Sequence, residues 1–266
     1  MTCLTYLLYL EQRIDAENED DKDSIETSIE MLNIHIRNWR FVDDVVESFA
    51  FGSFMRNTNL PTCIDEDTDV DYMIVFDTTR LKPDSYLVRL RNFATEFYPR
   101  TRRYQDHPTI VLDMNKIKFE ISPATQLWGR VSQYYQIPAP HQSYLQWINT
   151  YPQQLEKDLN DADHRNHYKI RPVIRLLKYW NVLNGKRISS YKIEEYVITH
   201  VFFNCHNLKE YFFEAAKWMH MINVTAPTAR RKIQKLRTDI EEIEELERQG
   251  HRSAAEERLE ELLPDF

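Results

Sequence analysis

The sequence is poor in the features that mark fibrous, secreted and membrane proteins. It has only four glycines and three cysteines among 266 residues, and no apolar run approaches the roughly 18 residues of a membrane span. The cysteines Cys3, Cys63 and Cys205 are widely spaced, so we expect neither a disulfide framework nor a metal-binding cysteine pair. The N-terminal stretch has no basic segment followed by a small-residue cleavage site. We therefore expect a cytoplasmic protein with no membrane partner.

What the chain does contain is apolar surface and acidic charge. Hydrophobic residues make up 42% of it and aromatic residues 12%, which suits one large domain or two smaller lobes. The net charge of −8 is unfavourable for broad contact with a nucleic-acid backbone, although a local cluster of Lys and Arg can still hold a small anion. We expect a monomer without a stable nucleic-acid partner.

Hydrophobic periodicity changes along the chain. Helical spacing near the N-terminus, on both sides of an acidic patch, gives way to strand candidates. One is the nearly continuous apolar run VDYMIVF, residues 70–76, typical of a strand buried on both faces. From about residue 143 the pattern is helical to the end. We predict a mixed α/β region at residues 1–140 and a helical lobe at residues 141–266.

Two aspartates, Asp69 and Asp71, lie one residue apart at the start of the apolar strand. Alternation places both side chains on the same side of that strand. Two carboxylates so close together do not both ionise readily unless a cation lies between them. Mg²⁺ prefers oxygen ligands, and two ions about 3.5–4 Å apart can activate an attacking hydroxyl and stabilise a leaving oxygen. The competing interpretation is an exposed acidic loop that also contains residues 65–67.

A third carboxylate from a neighbouring strand would complete such a metal site. In the strand IKFEISPA, residues 117–124, apolar and polar side chains alternate, so Glu120 faces away from the apolar set. Glu120 is therefore the preferred candidate, and Asp113 in TIVLDM is the alternative.

A Gly-Ser pair, Gly52 and Ser53, precedes the aspartates. Glycine allows close approach of the backbone, and amides in a tight turn that opens a helix, beside a Ser hydroxyl, can cradle phosphate oxygens. The pair is a weak signal alone and gains weight from the strand that carries the two aspartates.

Taken in order, these motifs resemble the DNA polymerase β-like nucleotidyltransferase superfamily. Within it they resemble the bacterial CD-NTases, cyclic oligonucleotide synthases of anti-phage signalling that are related to cyclic GMP-AMP synthase and oligoadenylate synthase. The resemblance covers roughly residues 45 to 205. Besides the two aspartates, the segments that carry it are FGSFMRNT (51–58), IKFEISPA (117–124), IPAPHQSYLQWINTYPQ (137–153), RPVIRLLKYWN (171–181) and SSYKIEEYV (189–197).

The resemblance implies an α+β fold with two lobes. Residues 1–140 would form N-terminal helices and a nucleotidyltransferase core, a mixed sheet flanked by helices. Residues 141–266 would form an all-helical lobe of the oligoadenylate-synthase type, with the active site in the cleft between the lobes.

The family's site residues map onto this sequence at matching motif positions. The resemblance implies that Gly52 and Ser53 hold the donor triphosphate. It implies that Asp69, Asp71 and Glu120 are catalytic and bind two Mg²⁺ ions, for which Mn²⁺ can substitute. One departure is the third acid, which is Glu here and more often Asp in the family.

Further nucleotide contacts are implied outside this group. Lys178 would reach the phosphates from the helical lobe, with help from Ser190, and Tyr191 would stack on the donor base. Arg56 and Thr58 would contact phosphate or the acceptor. From the residues alone, Lys178 could instead extend to the surface, Ser190 could be only an N-cap, and Tyr191 could be core.

The implied activity is metal-dependent condensation of nucleoside triphosphates (ATP, GTP or pyrimidine NTPs) into a cyclic di- or oligonucleotide, with release of pyrophosphate. A separate effector protein would read this second messenger. Two alternatives stay open: a nucleotidyltransferase that modifies a tRNA or a protein, and a catalytically inactive nucleotide sensor.

Overall fold

The computed structural model describes residues 2–77, 81–106, 108–114, 117–128, 133–139 and 146–266. In it the chain divides into two units. The sheet unit consists of Asp20–Thr62 and Glu66–Gln154. The helical unit consists of Met1–Glu19, Cys63–Asp65 and Leu155–Phe266.

The N-terminal segment forms one long helix. The two apolar stretches and the acidic patch between them all belong to α1, Cys3–Arg37, which has 35 residues. The segment contains neither glycine nor proline, and Glu and Lys are good helix formers. The acidic patch therefore continues the helix instead of interrupting it.

The sheet unit is built on a mixed sheet. Its strand order is β1-β2-β5-β4-β3, with β6 pairing with β5 and β7. The pairing of β2 with β5 is parallel, and the other described pairings are antiparallel. The strands are β1 Val45–Phe51, β2 Asp69–Phe76, β3 Arg102–Asp106, β4 Thr109–Met114, β5 Ile117–Trp128, β6 Gln133–Pro138 and β7 Trp147–Thr150.

One face of this sheet carries the main hydrophobic core. Alternate residues of β2, Val70, Tyr72, Ile74 and Phe76, pack with side chains of α1 and of α3, Pro83–Phe97. Trp39 lies among the aromatic rings of this cluster. The opposite face of β2 has a smaller apolar cluster that includes Met73 and Val75. At the beginning of β2, the same face carries polar side chains.

The helical unit is all-α apart from its short loop segments. The longest run of buried positions in it belongs to α5, where every residue from Val173 to Asn181 is buried. Its helices after α1 are α4 Pro152–Arg165, α5 Ile170–Leu183, α6 Ser190–Thr199, α7 Leu208–Trp218, α8 Pro227–Arg248 and α9 Arg252–Leu262.

The predicted α+β class, a mixed sheet flanked by helices plus a helical part, is confirmed. The helical character expected from about residue 143 begins later, because β7 is still a strand and α4 starts at Pro152. Residues 140–145, where the predicted domain boundary falls, lie outside the described residues.

Candidate active site

The two predicted aspartates occupy the first and third positions of β2. Both are partly buried, and the residues between and after them, Val70 and Tyr72, are fully buried on the other face. Because side chains alternate along a strand, Asp69 and Asp71 share the face opposite to the one that packs against α1 and α3. The apolar alternate positions fix the strand in its register and thereby hold both carboxylates on that face.

Glu120 lies beside this pair on the next strand. In the parallel register of β2 and β5, Asp71 is opposite Glu120 and Asp69 is opposite Lys118. Residues opposite each other on paired strands point to the same face. The predicted alternation of β5 is confirmed, since Phe119 and Ile121 join the main core on the other face.

Burial and neighbouring charge act strongly on Glu120. Burial and, to a smaller extent, the nearby carboxylates of Asp69 and Asp106 raise its pKa to about 7, against a lowering contribution from Lys118. Such a carboxyl is half protonated near neutral pH and ionises readily once a cation approaches. Asp106 was not among the sequence candidates, because its position on β3 is brought close only by the sheet topology.

The alternative third acid, Asp113, is placed differently. It lies on β4, opposite Lys118 of β5, so β5 separates it from β2. Its carboxylate is 3.6 Å from the guanidinium of Arg102. The geometry therefore favours Glu120 as the closer companion of the β2 aspartates.

Gly52 is in direct contact with the Asp71 carboxylate. It follows β1, whose last residue Phe51 pairs with Asp71, and it has a φ of +79°. A Cβ atom at this position would lie 1.9 Å from Oδ2 of Asp71 and 2.7 Å from its Cγ. Only glycine allows both this backbone conformation and this position of the carboxylate. The Gly-Ser turn and the Asp-x-Asp strand thus meet at one place.

The turn after Gly52 is held by its own backbone and by buried polar residues. A single helical turn, α2 Gly52–Met55, follows, and the amide of Arg56 donates to the carbonyl of Gly52. Thr58 is fully buried, and its amide donates to the carbonyl of Ser53 at 3.0 Å. Arg56 is 8% exposed. These contacts support the backbone on which Ser53 is displayed, and the predicted ligand contacts of Arg56 and Thr58 stay predictions.

The three acids match the ligand chemistry of Mg²⁺, since all are carboxylates on one face of two adjacent strands. In the part of the chain that the structure describes, no three His, Cys, Asp or Glu side chains are gathered closely enough to form a metal-ligand set. The residue types and strand positions therefore fit a metal site, and the site itself stays a prediction.

In the helical unit, Lys178 is not at the surface. Its side chain is 4% exposed, and its Nζ lies 2.5 Å from Oε1 of Glu194, whose side chain is 1% exposed. The interpretation that Lys178 extends to the surface is therefore wrong. Sequence reasoning missed Glu194, although its position four residues after Ser190 is a signal that helical periodicity could have supplied.

The start of α6 is open to solvent. Ser190 is its first residue and Ser189 occupies the N-cap position, so Ser190 is not the N-cap. Tyr191 is 54% exposed and is not a core residue. The base contact of Tyr191 stays a prediction.

Among the described residues, no helix is long and apolar enough to cross a membrane.

The mixed sheet with its flanking helices, together with the helical unit, is consistent with the fold of a polymerase β-like nucleotidyltransferase. The chain belongs to the family of the Second Messenger Oligonucleotide or Dinucleotide Synthetase domain, whose model matches residues 1–163.

Solved structures of this class share the fold. The CD-NTase CdnG of Bradyrhizobium diazoefficiens, in complex with GTP, is 13% identical with a TM-score of 0.64, covering 86% of this chain and 87% of that one. The CdnE c-UMP-AMP synthase of Rhodothermus marinus, with Apcpp and Upnpp, is 13% identical with a TM-score of 0.62, covering 79% and 89%. DncV of Vibrio cholerae is 15% identical with a TM-score of 0.62, covering 82% and 68%. No curated protein sequence matches this chain.

Proposed function

We propose that this chain is a metal-dependent nucleotidyltransferase that condenses nucleoside triphosphates into a cyclic di- or oligonucleotide and releases pyrophosphate. The observation that carries the proposal is the contact between Gly52 and the Asp71 carboxylate, with Glu120 opposite Asp71 on the adjacent strand. A turn that binds the phosphates of the donor must lie beside the acids that hold the metal ions. Membership of the family supports the same reaction.

Each group has a defined task in the proposed reaction. The turn at Gly52 and Ser53 would orient the triphosphate of the donor. Asp69, Asp71 and Glu120 would hold Mg²⁺, which when bound neutralises phosphate charge and favours ionisation of a hydroxyl. A bond forms between the acceptor hydroxyl oxygen and the α-phosphorus, the bond from that phosphorus to the pyrophosphate oxygen breaks, and the hydroxyl proton passes to solvent.

The protein's contribution is positioning and charge complementarity. Phosphoryl transfer needs the attacking and leaving oxygens in line, and little else from the side chains. A second round on the linear intermediate would close the ring. We further propose that a separate effector protein reads the product in anti-phage signalling, as the family resemblance implies.

The test is incubation of the purified chain with all four NTPs and Mg²⁺ or Mn²⁺, with products identified by mass spectrometry. We expect small cyclic products and pyrophosphate. The double variant Asp69→Asn with Asp71→Asn should keep its fold by circular dichroism and lose nucleotide incorporation, because its carboxylates no longer attract a cation. Normal turnover by this variant would refute the proposal.

The same assay separates the two alternatives. An enzyme that modifies a tRNA or a protein would release pyrophosphate only after the macromolecule is added. An inactive sensor would bind NTPs and release no pyrophosphate under any of these conditions.

A further inference from the structure

A buried ion pair in the helical unit joins α5 to α6. The ammonium of Lys178 and the carboxylate of Glu194 lie 2.5 Å apart, and both side chains are almost completely removed from solvent. Charges are rarely buried unless they are paired, because desolvation of an isolated charge is costly. Each of the two charges therefore has a buried counter-charge in contact with it.

The position of Glu194 links this pair to the exposed start of α6. Ser190 and Tyr191, the predicted nucleotide contacts, precede Glu194 by four and three residues. These spacings place all three residues on one side of the helix. Glu194 thus lies one helical turn after the exposed Tyr191 and is itself buried. Its carboxylate contacts the buried ammonium of Lys178.

Lysine needs such a partner more than arginine does. Its ammonium is a point charge on a flexible four-carbon chain, and burial lowers its pKa readily. A carboxylate in contact favours the charged form and removes freedom from the side chain. A cation that is already charged and fixed loses less entropy when a phosphate binds than a mobile one.

We propose that Glu194 is a positioning residue for Lys178 and that its carboxylate orients the ammonium for the phosphates of a bound nucleoside triphosphate. This inference rests on the proposed function. In it Glu194 touches no substrate and acts only through Lys178.

The test measures nucleotide affinity and stability in the same set of variants. Titration calorimetry with ATP, GTP, CTP and UTP, each with Mg²⁺, gives the dissociation constants of the wild type. With the NTP that binds most tightly, Glu194→Gln should weaken binding about tenfold, which corresponds to about 1.4 kcal/mol. Glu194→Asp, which keeps the charge, should recover part of the loss.

A double-mutant cycle tests whether Glu194 acts through Lys178. The double variant Lys178→Met with Glu194→Gln should bind no more weakly than Lys178→Met alone, since the second change has nothing left to position. Fully additive losses would overturn the inference.

The matched control is Asp163→Asn, another isosteric neutralisation in the same unit. Asp163 is buried and accepts hydrogen bonds from the amides of Ile170 and Arg171 at the start of α5, at 2.9 and 3.3 Å. It should lower the melting temperature and leave nucleotide affinity unchanged.

The outcomes are distinct. If Glu194→Gln lowers the melting temperature but leaves nucleotide affinity unchanged, it behaves as expected of Asp163→Asn. The role of Glu194 is then structural, and the inference is overturned while the proposed function stands. A wild-type chain that binds none of the four NTPs would overturn the inference and the proposed function together.

Discussion

At the scale of single residues, Gly52 ties the turn to the acids. Gly52→Ala would place a Cβ atom 1.9 Å from Oδ2 of Asp71, so the carboxylate must move. The left-handed backbone adds roughly 1–2 kcal/mol of strain. We expect at least a tenfold loss of pyrophosphate release with a small loss of stability, measured by an enzymatic assay and by denaturation.

Gly250 offers a matched control for this substitution. Its φ of +84° is close to that of Gly52, and an added Cβ would meet no atom within 4 Å. Gly250→Ala should therefore show similar backbone strain with full activity. Equal activity losses in the two variants would mean that strain, and not displacement of Asp71, explains the effect.

The raised pKa of Glu120 predicts a pH-dependent stability in the metal-free protein. Its pKa is about 7 in the folded chain, against an ordinary value of 4.5. Between these values the unfolded state ionises first, so the carboxyl lowers the free energy of unfolding as pH rises, and the loss is complete above pH 7. Glu120→Gln removes this penalty.

We expect Glu120→Gln to be more stable than wild type by about 1 kcal/mol at pH 8, a figure that allows for solvent screening. At pH 5 the difference should nearly vanish. Urea denaturation in the presence of a chelator measures both values. Glu96→Gln, at an exposed site of α3, is the control and should show no such trend. A pH-independent difference would contradict the prediction.

Residue types and spacing in the sequence were sufficient to predict the aspartate pair, the Gly-Ser turn and the outward face of Glu120. They were not sufficient to predict that Lys178 is buried and paired with a carboxylate. A lysine in an apolar helix is compatible with surface exposure or burial, and the choice depends on a carboxylate 16 residues later. Such a pairing is set by how α5 and α6 pack, which no local pattern contains.

At the scale of elements, α1 supports the sheet through one stripe of side chains. Leu32 is fully buried in the core of the sheet unit, whereas its neighbour Met31 is 48% exposed. Leu32→Ala should lower the free energy of unfolding by about 2–5 kcal/mol through lost apolar burial and an unfilled cavity. Met31→Ala should change it by about 0.5 kcal/mol or less. Denaturant titration measures both, and similar losses would contradict the packing of α1.

The elements differ in how clearly the sequence marks them. Strand β2 is a continuous apolar run, and it was predicted because burial on both sides leaves little room for polar residues. Strand β7 has four residues, Trp147–Thr150, of which none is fully buried. Its strand conformation comes from pairing with β6, and not from a periodicity of its own.

At the scale of the whole molecule, the distribution of charge is consistent with a small substrate. The net charge is −8, and two basic residues of α8 are matched by acids one turn later. Lys235 lies 2.7 Å from Asp239, and Arg237 lies 2.8 Å from Glu241. Paired in this way, these two cations add little to an electrostatic field that would attract a polyanion.

We therefore expect no stable complex with nucleic acid. Non-specific binding by basic proteins typically has a dissociation constant of about 10⁻⁴–10⁻⁶ M and weakens steeply with salt. Fluorescence anisotropy of a labelled single-stranded RNA, a duplex RNA and a tRNA should show no binding at a protein concentration of about 10 µM. This concentration lies near the middle of the range of those dissociation constants. The control is NTP binding by the same preparation, which shows that the protein is folded and competent. Salt-sensitive binding of the tRNA would instead favour an enzyme that modifies a macromolecule, because such an enzyme must hold its polyanionic substrate through phosphate contacts.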